Sequence, residues 1–205
     1  MKEKPFEKDI LRGLKAQPKR LFSKYFYDDQ GSQIFQEIMQ MDSYYLPACE
    51  IEILRHQSQE IIGMLPSETY DVVELGAGDG TKTALFLEAL LKFGKKINYL
   101  PLDISPEILD VNQKILKEKL PGLNILPIAG DYFETLKKIE GRKNPKVVLF
   151  MGSNIGNFEG EEAVKFLQFV REFLNKGDVL MLGADLKKHP QTILKAYNYP
   201  EGITK

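Results

Sequence analysis

The sequence has a single cysteine, two histidines, almost no net charge and no long apolar run, and each shortage removes a class of protein. Cys49 cannot close an internal disulfide, which fits a reducing, cytoplasmic setting. His56 and His189 are isolated and far apart, so they read as surface residues and no metal site is expected. Against 28 basic side chains stand 29 acidic ones, a formal net charge of -1, so neither a nucleic-acid surface nor a patch for anionic membranes is advertised. The N-terminal MKEKPFEKDI lacks the apolar core of a signal peptide, and no run approaches the roughly 20 apolar residues of a membrane-spanning helix. Repeats and low-complexity tracts are absent as well. What remains is 205 residues, 43% of them hydrophobic, enough for an ordinary globular core and suited to a small neutral or zwitterionic ligand.

The texture changes near Tyr70, which divides the chain into a helical, connecting region over 1–69 and an α/β region over 70–205. In the first, GSQIFQEIMQM places Ile34, Ile38 and Met41 on one helical face, and a second helix is expected after Pro47, with Ile51, Leu54, Ile61 and Ile62 keeping a face to Met64. In the second, short apolar runs alternate with amphipathic ones. Five strands are expected, over 71–75, 97–102, 124–129, 146–151 and 178–184. The intervening helices fall over 81–92, 106–119, 133–139 and 160–174, the last with Val164, Leu167, Phe169 and Phe173 at helical spacing. This rhythm predicts an α/β fold with an open, doubly wound, mostly parallel sheet, whose ligands bind at the carboxyl ends of the strands.

The polar motifs fall at those ends. VVELGAGDGTKT sets Gly76, Gly78 and Gly80 directly after the first strand. A dinucleotide fingerprint spaces its glycines G-x-G-x-x-G, so that a pyrophosphate can rest on the following helix. Here the spacing is G-x-G-x-G, and with Glu74 just upstream the turn resembles motif I of class I S-adenosylmethionine-dependent methyltransferases, although a ligand-free glycine turn has the same appearance. The second strand ends in Asp103, placed to accept hydrogen bonds from ribose hydroxyls. Asp131 and Tyr132 follow the third, placed for an adenine edge and face, although Asp131 taken singly reads better as a helix cap. The fourth leads into LFMGSNIGNF, where Gly152, Ser153, Asn154, Gly156 and Asn157 form a small polar loop in which a transferred group would meet its acceptor, or simply a turn. The fifth ends at Asp185, and a helix containing Tyr197 follows Pro190.

Taken together, YFYDDQGSQIFQEIMQMDSYYLPACEIEIL, VVELGAGDGTKT, LDIS, GDY, LFMGSNIGNF and LGADLKK with AYN resemble the histidine-specific N-alpha-methyltransferases of ergothioneine biosynthesis, in order and from about Tyr25 onward. The resemblance implies a Rossmann-like class I methyltransferase core with S-adenosyl-L-methionine as cofactor, held by Gly76, Gly78, Lys82, Asp103, Asp131 and Tyr132. It implies an amino-acid substrate, histidine or a relative, contacted by Tyr45 (with Tyr44 the neighbouring possibility), Asn157 and Tyr197, with Gly152 shaping the acceptor pocket. The implied reaction is in-line transfer of a sulfonium methyl to the neutral alpha-amine, repeated up to trimethylation, with positioning supplying much of the rate and no dedicated catalytic group. Loss of the amine's proton would be helped by Tyr45 and an acidic partner.

The same resemblance implies two further terminal strands and a segment completing the substrate domain, which this sequence does not contain after YNYPEGITK. The expectation is of a C-terminally truncated enzyme: an excised piece, a shortened gene product or half of a split enzyme. The flank of the fifth strand would then be an unpaired edge open to self-association or a complementing chain. The alternative is a cofactor-binding or interaction module without independent activity. A nicotinamide dehydrogenase is disfavoured by the glycine spacing.

Overall fold

A computed structural model describes residues 5–26, 29–158 and 160–198. Tyr27 and Asp28 of the YFYDDQ stretch, and the end of the chain from Tyr199, lie outside the described residues. In chain order the elements are α1 (Pro5–Lys15), a 3-10 turn (Ser23–Phe26), α2 (Asp29–Met39), α3 (Leu46–Gly63), β1 (Thr69–Leu75), α4 (Thr83–Lys92), β2 (Lys96–Asp103), α5 (Pro106–Lys119), β3 (Asn124–Ile125), β4 (Ile128–Ala129), α6 (Tyr132–Lys138), β5 (Lys146–Phe150), a second 3-10 turn (Asn154–Asn157), α7 (Glu161–Phe173), β6 (Val179–Leu182) and α8 (Pro190–Tyr197).

All strand pairings are parallel, in the order β3-β2-β1-β5-β6, with β4 also on β2. The winding direction reverses between β1 and β5, and that reversal opens a crevice at their carboxyl ends. The expected third strand is broken: Pro127 has no N–H to donate, so β3 and β4 are two short pieces either side of it, while Leu126 N–H still reaches Tyr99 O at 2.8 Å. Among the described residues β6 is an edge of the sheet, and Leu182 on it is exposed. The helix expected from 81 starts instead at Thr83, because Asp79 Oδ1 accepts Thr81 N–H at 2.9 Å and holds the chain in one more turn.

β1 is buried on both faces. Tyr70 and Val72 pack under Leu54 and Ile62 of α3, Phe86, Leu87 and Leu90 of α4 and Leu116 of α5. Val73 and Leu75 pack under Leu136 of α6 and Phe166 and Val170 of α7. A third, smaller cluster ties the N-terminal region to α8 through Ile38, Tyr44, Leu46 and Ala196, so the face expected of Ile34, Ile38 and Met41 does pack. Two expected faces are corrected. Val164 is exposed, since α7 turns Phe166 and Val170 to the sheet, and Met64 is 70% exposed where its neighbour Leu65 takes the buried place. The buried stripe of α3 is Leu46, Glu50, Leu54, Ser58 and Ile62, one residue every fourth position and two of them polar.

Buried charge sits at both ends of the central strands. At the amino ends, Asp71 accepts hydrogen bonds from Arg142, from Asn98 at 2.7 Å and from Asn144 at 3.0 Å, joining β1, β2 and the approach to β5. Burial alone would raise its pKa, but these donors outweigh burial and hold it below the usual value. Beside it, Lys146 and Asp178 pair at 3.3 Å with side chains only 1% and 2% exposed, and Asp178 also accepts the Lys146 N–H at 2.7 Å and the Asn175 N–H at 2.9 Å. Toward the carboxyl ends, Glu74 continues the face of Tyr70 and Val72 and accepts from Thr83 Oγ1 at 2.5 Å and from the Tyr99 hydroxyl. Burial pushes its pKa up to about 7 against the pull of these two donors and of the Lys82 charge, and Glu50 adds to the rise.

Two outcomes follow. Asp178→Ala leaves the Lys146 ammonium buried and unpaired, and should cost about 3–5 kcal/mol in urea denaturation. For Glu74, the native carboxyl holds its proton up to about pH 7 while the unfolded one releases it near 4.5. Stability from this group is therefore complete below pH 4.5 and declines as pH rises to 7, by about 3 kcal/mol at most. Glu74→Gln should remove that decline, so that thermal melts of variant and native protein diverge in the variant's favour between pH 4.5 and 7.

Candidate active site

The first strand ends in a turn that only glycine fits. Gly76 has φ +72°, and a Cβ built on it would stand 2.8 Å from the Tyr132 hydroxyl and 2.9 Å from Asn154 Nδ2. Gly80 is equally confined, with Asn112 Nδ2 2.7 Å from its notional Cβ. The turn is tied to β2 by Gly76 and Ala77 N–H groups on Leu102 O at 2.8 and 3.2 Å. It is also tied through Asp103, whose Oδ2 accepts Gly78 N–H at 3.0 Å and whose Oδ1 accepts Ser105 N–H at 3.1 Å. Burial raises the Asp103 pKa despite these bonds. With backbone donors from Gly78, Ser105 and Ile104, the carboxylate keeps further lone-pair capacity for a hydroxyl. From below, Asn112 Nδ2 donates to Gly78 O at 3.0 Å.

Asp131 takes the capping role, accepting Glu134 N–H at 3.0 Å at the start of α6. Tyr132 turns inward, its ring 5.8 Å from Phe150 and 5.6 Å from Phe166, which aims the hydroxyl at Gly76. Of the residues expected to hold a cofactor, Gly76, Gly78, Asp103 and Tyr132 thus gather at the carboxyl ends of β1, β2 and β4, while Asp131 is exposed at the rim. Lys82 lies beside this group, toward Gly152, its ammonium in an ion pair with Glu50 of α3.

On the other side of the crevice, β5 leads into Gly152, φ +73°, whose N–H donates to Glu50 Oε1 at 2.5 Å. Ser153, φ +54°, is the one non-glycine residue in the left-handed region among the described residues. The kinked loop sends Asn154 inward, over Gly76 and within 3.6 Å of a Cβ at Gly152, whereas Asn157, expected to face the substrate, is exposed. Beyond β6, the Tyr45 hydroxyl donates to Asp185 and accepts from Lys188 Nζ at 2.9 Å, with the same ammonium 4.2 Å above the tyrosine ring. Tyr45 has a raised pKa, through burial and then its bond to Asp185. For Asp185, burial is outweighed by the bonds from Lys188 and Tyr45, and the carboxylate is held below its usual range. Tyr44 is a packing residue, buried and edge-on to Tyr197 at 5.8 Å, and Tyr197 is itself half exposed.

Glu50, which the strand-end motifs do not single out, enters the site from α3, and of the two loop asparagines Asn154 lies inward while Asn157 is exposed. Glu50 could have been found from the four-residue stripe Leu46, Glu50, Leu54, Ser58, Ile62, in which a carboxylate occupies a core position. No local signal separates Asn154 from Asn157, since the direction of each depends on the left-handed turn at Gly152 and Ser153. His56 and His189 are exposed, and His189 caps α8 by accepting Gln191 N–H at 3.3 Å. Among the described residues no three His, Cys, Asp or Glu side chains group to hold a metal ion, and no helix is long and apolar enough to cross a membrane.

Chemically, the arrangement offers a ligand bare backbone, acceptors, a ring and a cation. Bare glycine backbone lets a ligand lie against β1, Asp103 offers acceptors to vicinal hydroxyls, Tyr132 offers a ring and hydroxyl, and the Lys82 ammonium waits beside the crevice.

A family model described as histidine-specific methyltransferase, SAM-dependent, matches residues 6–205. The chain is 34% identical over 197 residues to a histidine N-alpha-methyltransferase of Mycobacterium tuberculosis, covering 96% of this chain and 60% of that relative. It is 34% identical over 189 residues to ergothioneine biosynthesis protein 1 of Neurospora crassa, covering 91% of this chain and 22% of that one. The chain thus spans 60% or less of the length of these curated relatives. Among solved structures, the CMeT domain of citrinin polyketide synthase superposes with a TM-score of 0.52 at 18% identity, over 83% of this chain and 44% of that one, a likeness of fold. With a family match running from Phe6 to the end of the chain, this protein belongs to the SAM-dependent histidine-specific methyltransferases.

Proposed function

We propose that this protein takes part in transferring a methyl group from S-adenosylmethionine to the alpha-amino group of histidine or a related amino acid. The observation that carries the reading is the meeting of two loops: Asn154 of the β5 loop lies over Gly76 of the β1 turn, and Lys82 and the Gly152 N–H share the Glu50 carboxylate. A donor on the glycine turn would thereby face an acceptor held by the loop after β5. When bound, the sulfonium supplies an already activated methyl group, so alignment is the main task left to the protein.

In this reading residues 70–205 are the cofactor core, and residues 1–69 complete the substrate side. Asp103 accepts the ribose hydroxyls, Gly76 and Gly78 admit the chain of the cofactor, Asp131 and Tyr132 flank the adenine, and Lys82 receives the carboxylate. Tyr45 meets the substrate amine. Its proton is committed to Asp185 and one lone pair to Lys188, so it offers the amine an acceptor, and Asp185 is the acidic partner that holds Tyr45 in that orientation. Gly152 leaves room for the acceptor, with Asn157 and Tyr197 at its outer side. A cytoplasmic location fits the lone, exposed Cys49.

Calorimetric titration with S-adenosylhomocysteine is the direct test of the cofactor side. Gly76→Ala should abolish binding, by strain at φ +72° and by collision with Tyr132 and Asn154, and Asp103→Asn should weaken it about tenfold through the ribose contact. A folded protein with no affinity for this ligand overturns the reading. On the acceptor side, incubation with S-adenosylmethionine and separate amino acids should give methylated histidine by mass spectrometry. Methylation of a different amino acid only would keep the reaction class and replace the substrate.

A further inference from the structure

The N-terminal helices reach the crevice through one buried carboxylate. Glu50 is 9% exposed and lies on the packed stripe of α3, outside the sheet and outside the glycine turn. One oxygen takes the Lys82 ammonium at the start of α4, and the other takes the Gly152 N–H at the end of β5. A Cβ built at Gly183, just past the end of β6, would come within 2.7 Å of Oε1, so the chain is bare where the carboxylate passes. Three segments that follow three different elements therefore close around a single side chain.

A lysine at a helix start has no help from the helix dipole and a long, freely rotating stem. Paired with a carboxylate fixed by packing and by a backbone N–H, its ammonium is confined, and in the confined place it stands 3.8 Å from a Cβ built at Gly152. Two of its three protons are free for another acceptor. We propose that Glu50 is a positioning residue: it aims Lys82 at the carboxylate of the cofactor's amino-acid end and fixes the Gly152 loop relative to it. The inference rests on the cofactor assignment made above. It predicts an effect on recognition of the amino-acid end and none on recognition of the nucleoside.

Two probes separate those contributions: S-adenosylhomocysteine, and 5′-deoxy-5′-methylthioadenosine, which has the nucleoside thioether without the amino-acid end. Their dissociation constants are to be measured on the 205-residue chain and its variants, with circular dichroism melts recorded for each. Glu50→Gln keeps an acceptor for Gly152 but turns an amide toward Lys82. It should reduce the preference for S-adenosylhomocysteine about tenfold and leave methylthioadenosine binding unchanged. Lys82→Met should do the same, and adding Glu50→Gln to it should change the preference no further. Gly183→Ala, which crowds the Glu50 oxygen without altering charge, should act in the same direction. An unchanged or increased preference in Glu50→Gln, an equal loss for both probes, or additive effects in the double variant overturns the inference. Failure of the native protein to bind either probe overturns the cofactor assignment instead, and this inference with it. Native protein that binds both probes equally well leaves that assignment standing and overturns the role of Glu50.

Discussion

A carboxylate taken out of water has to be met by donors, and in this protein that requirement holds the crevice together. Glu74 recruits the hydroxyls of Thr83 and Tyr99, which fastens the start of α4 and the middle of β2 to the end of β1. Asp103 recruits the N–H groups of Gly78 and Ser105, which curls the glycine turn over the end of β2. Glu50 recruits Lys82 and Gly152 and brings in α3. Unmet, each buried acceptor would cost on the order of 1–3 kcal/mol or more, so the donors have little freedom to move away. The turn, the acceptor loop and α3 are therefore held by charge in addition to the packing of Leu54 and Ile62 on one face of the sheet and of Ile155 and Phe158 on the other.

The two carboxylates on that side of β1 also act on each other. Glu50 is one of the influences that raise the Glu74 pKa, and Lys82 opposes it, so the ionisation of Glu74 responds to the ion pair next to it. Tyr45, Asp185 and Lys188 form a separate, more exposed group beyond β6 in which opposite charges sit beside a phenol. Glu50 and Tyr45 lie five residues apart across the start of α3, so one short segment supplies both an anchor inside the crevice and a polar group at its edge.

The sheet was legible because its signal is compositional. Runs such as DVVEL and KVVLF keep a continuous apolar centre, Val72–Val73 and Val147–Phe150, in strands covered on both faces, although Asp71, Glu74 and Lys146 are buried as well, and only Pro127 broke an expected strand in two. The glycine turn and Asp103 were legible because a positive φ and a carboxylate at a strand end leave a mark at fixed positions. Following apolar periodicity alone hid Glu50 and Ser58, which occupy core positions of α3 as polar residues, and misplaced Val164 and Met64, which are apolar and exposed. Hydrophobic residues inside is a rule that runs in one direction only.

Sequence by itself determined the order of the strands and helices from Ile34 onward, the parallel sheet, and the three strand ends at which polar chemistry collects. Those follow from local composition and from the right-handed crossover that parallel strands require. Tertiary structure alone decided which asparagine of the GSNIGN loop faces inward, that Lys82 meets Glu50, and that Tyr45 meets Asp185 across 140 residues of chain. Each of these depends on where a turn points a side chain and on what an element distant in sequence places opposite it, and neither quantity is encoded in the spacing of residues along the chain.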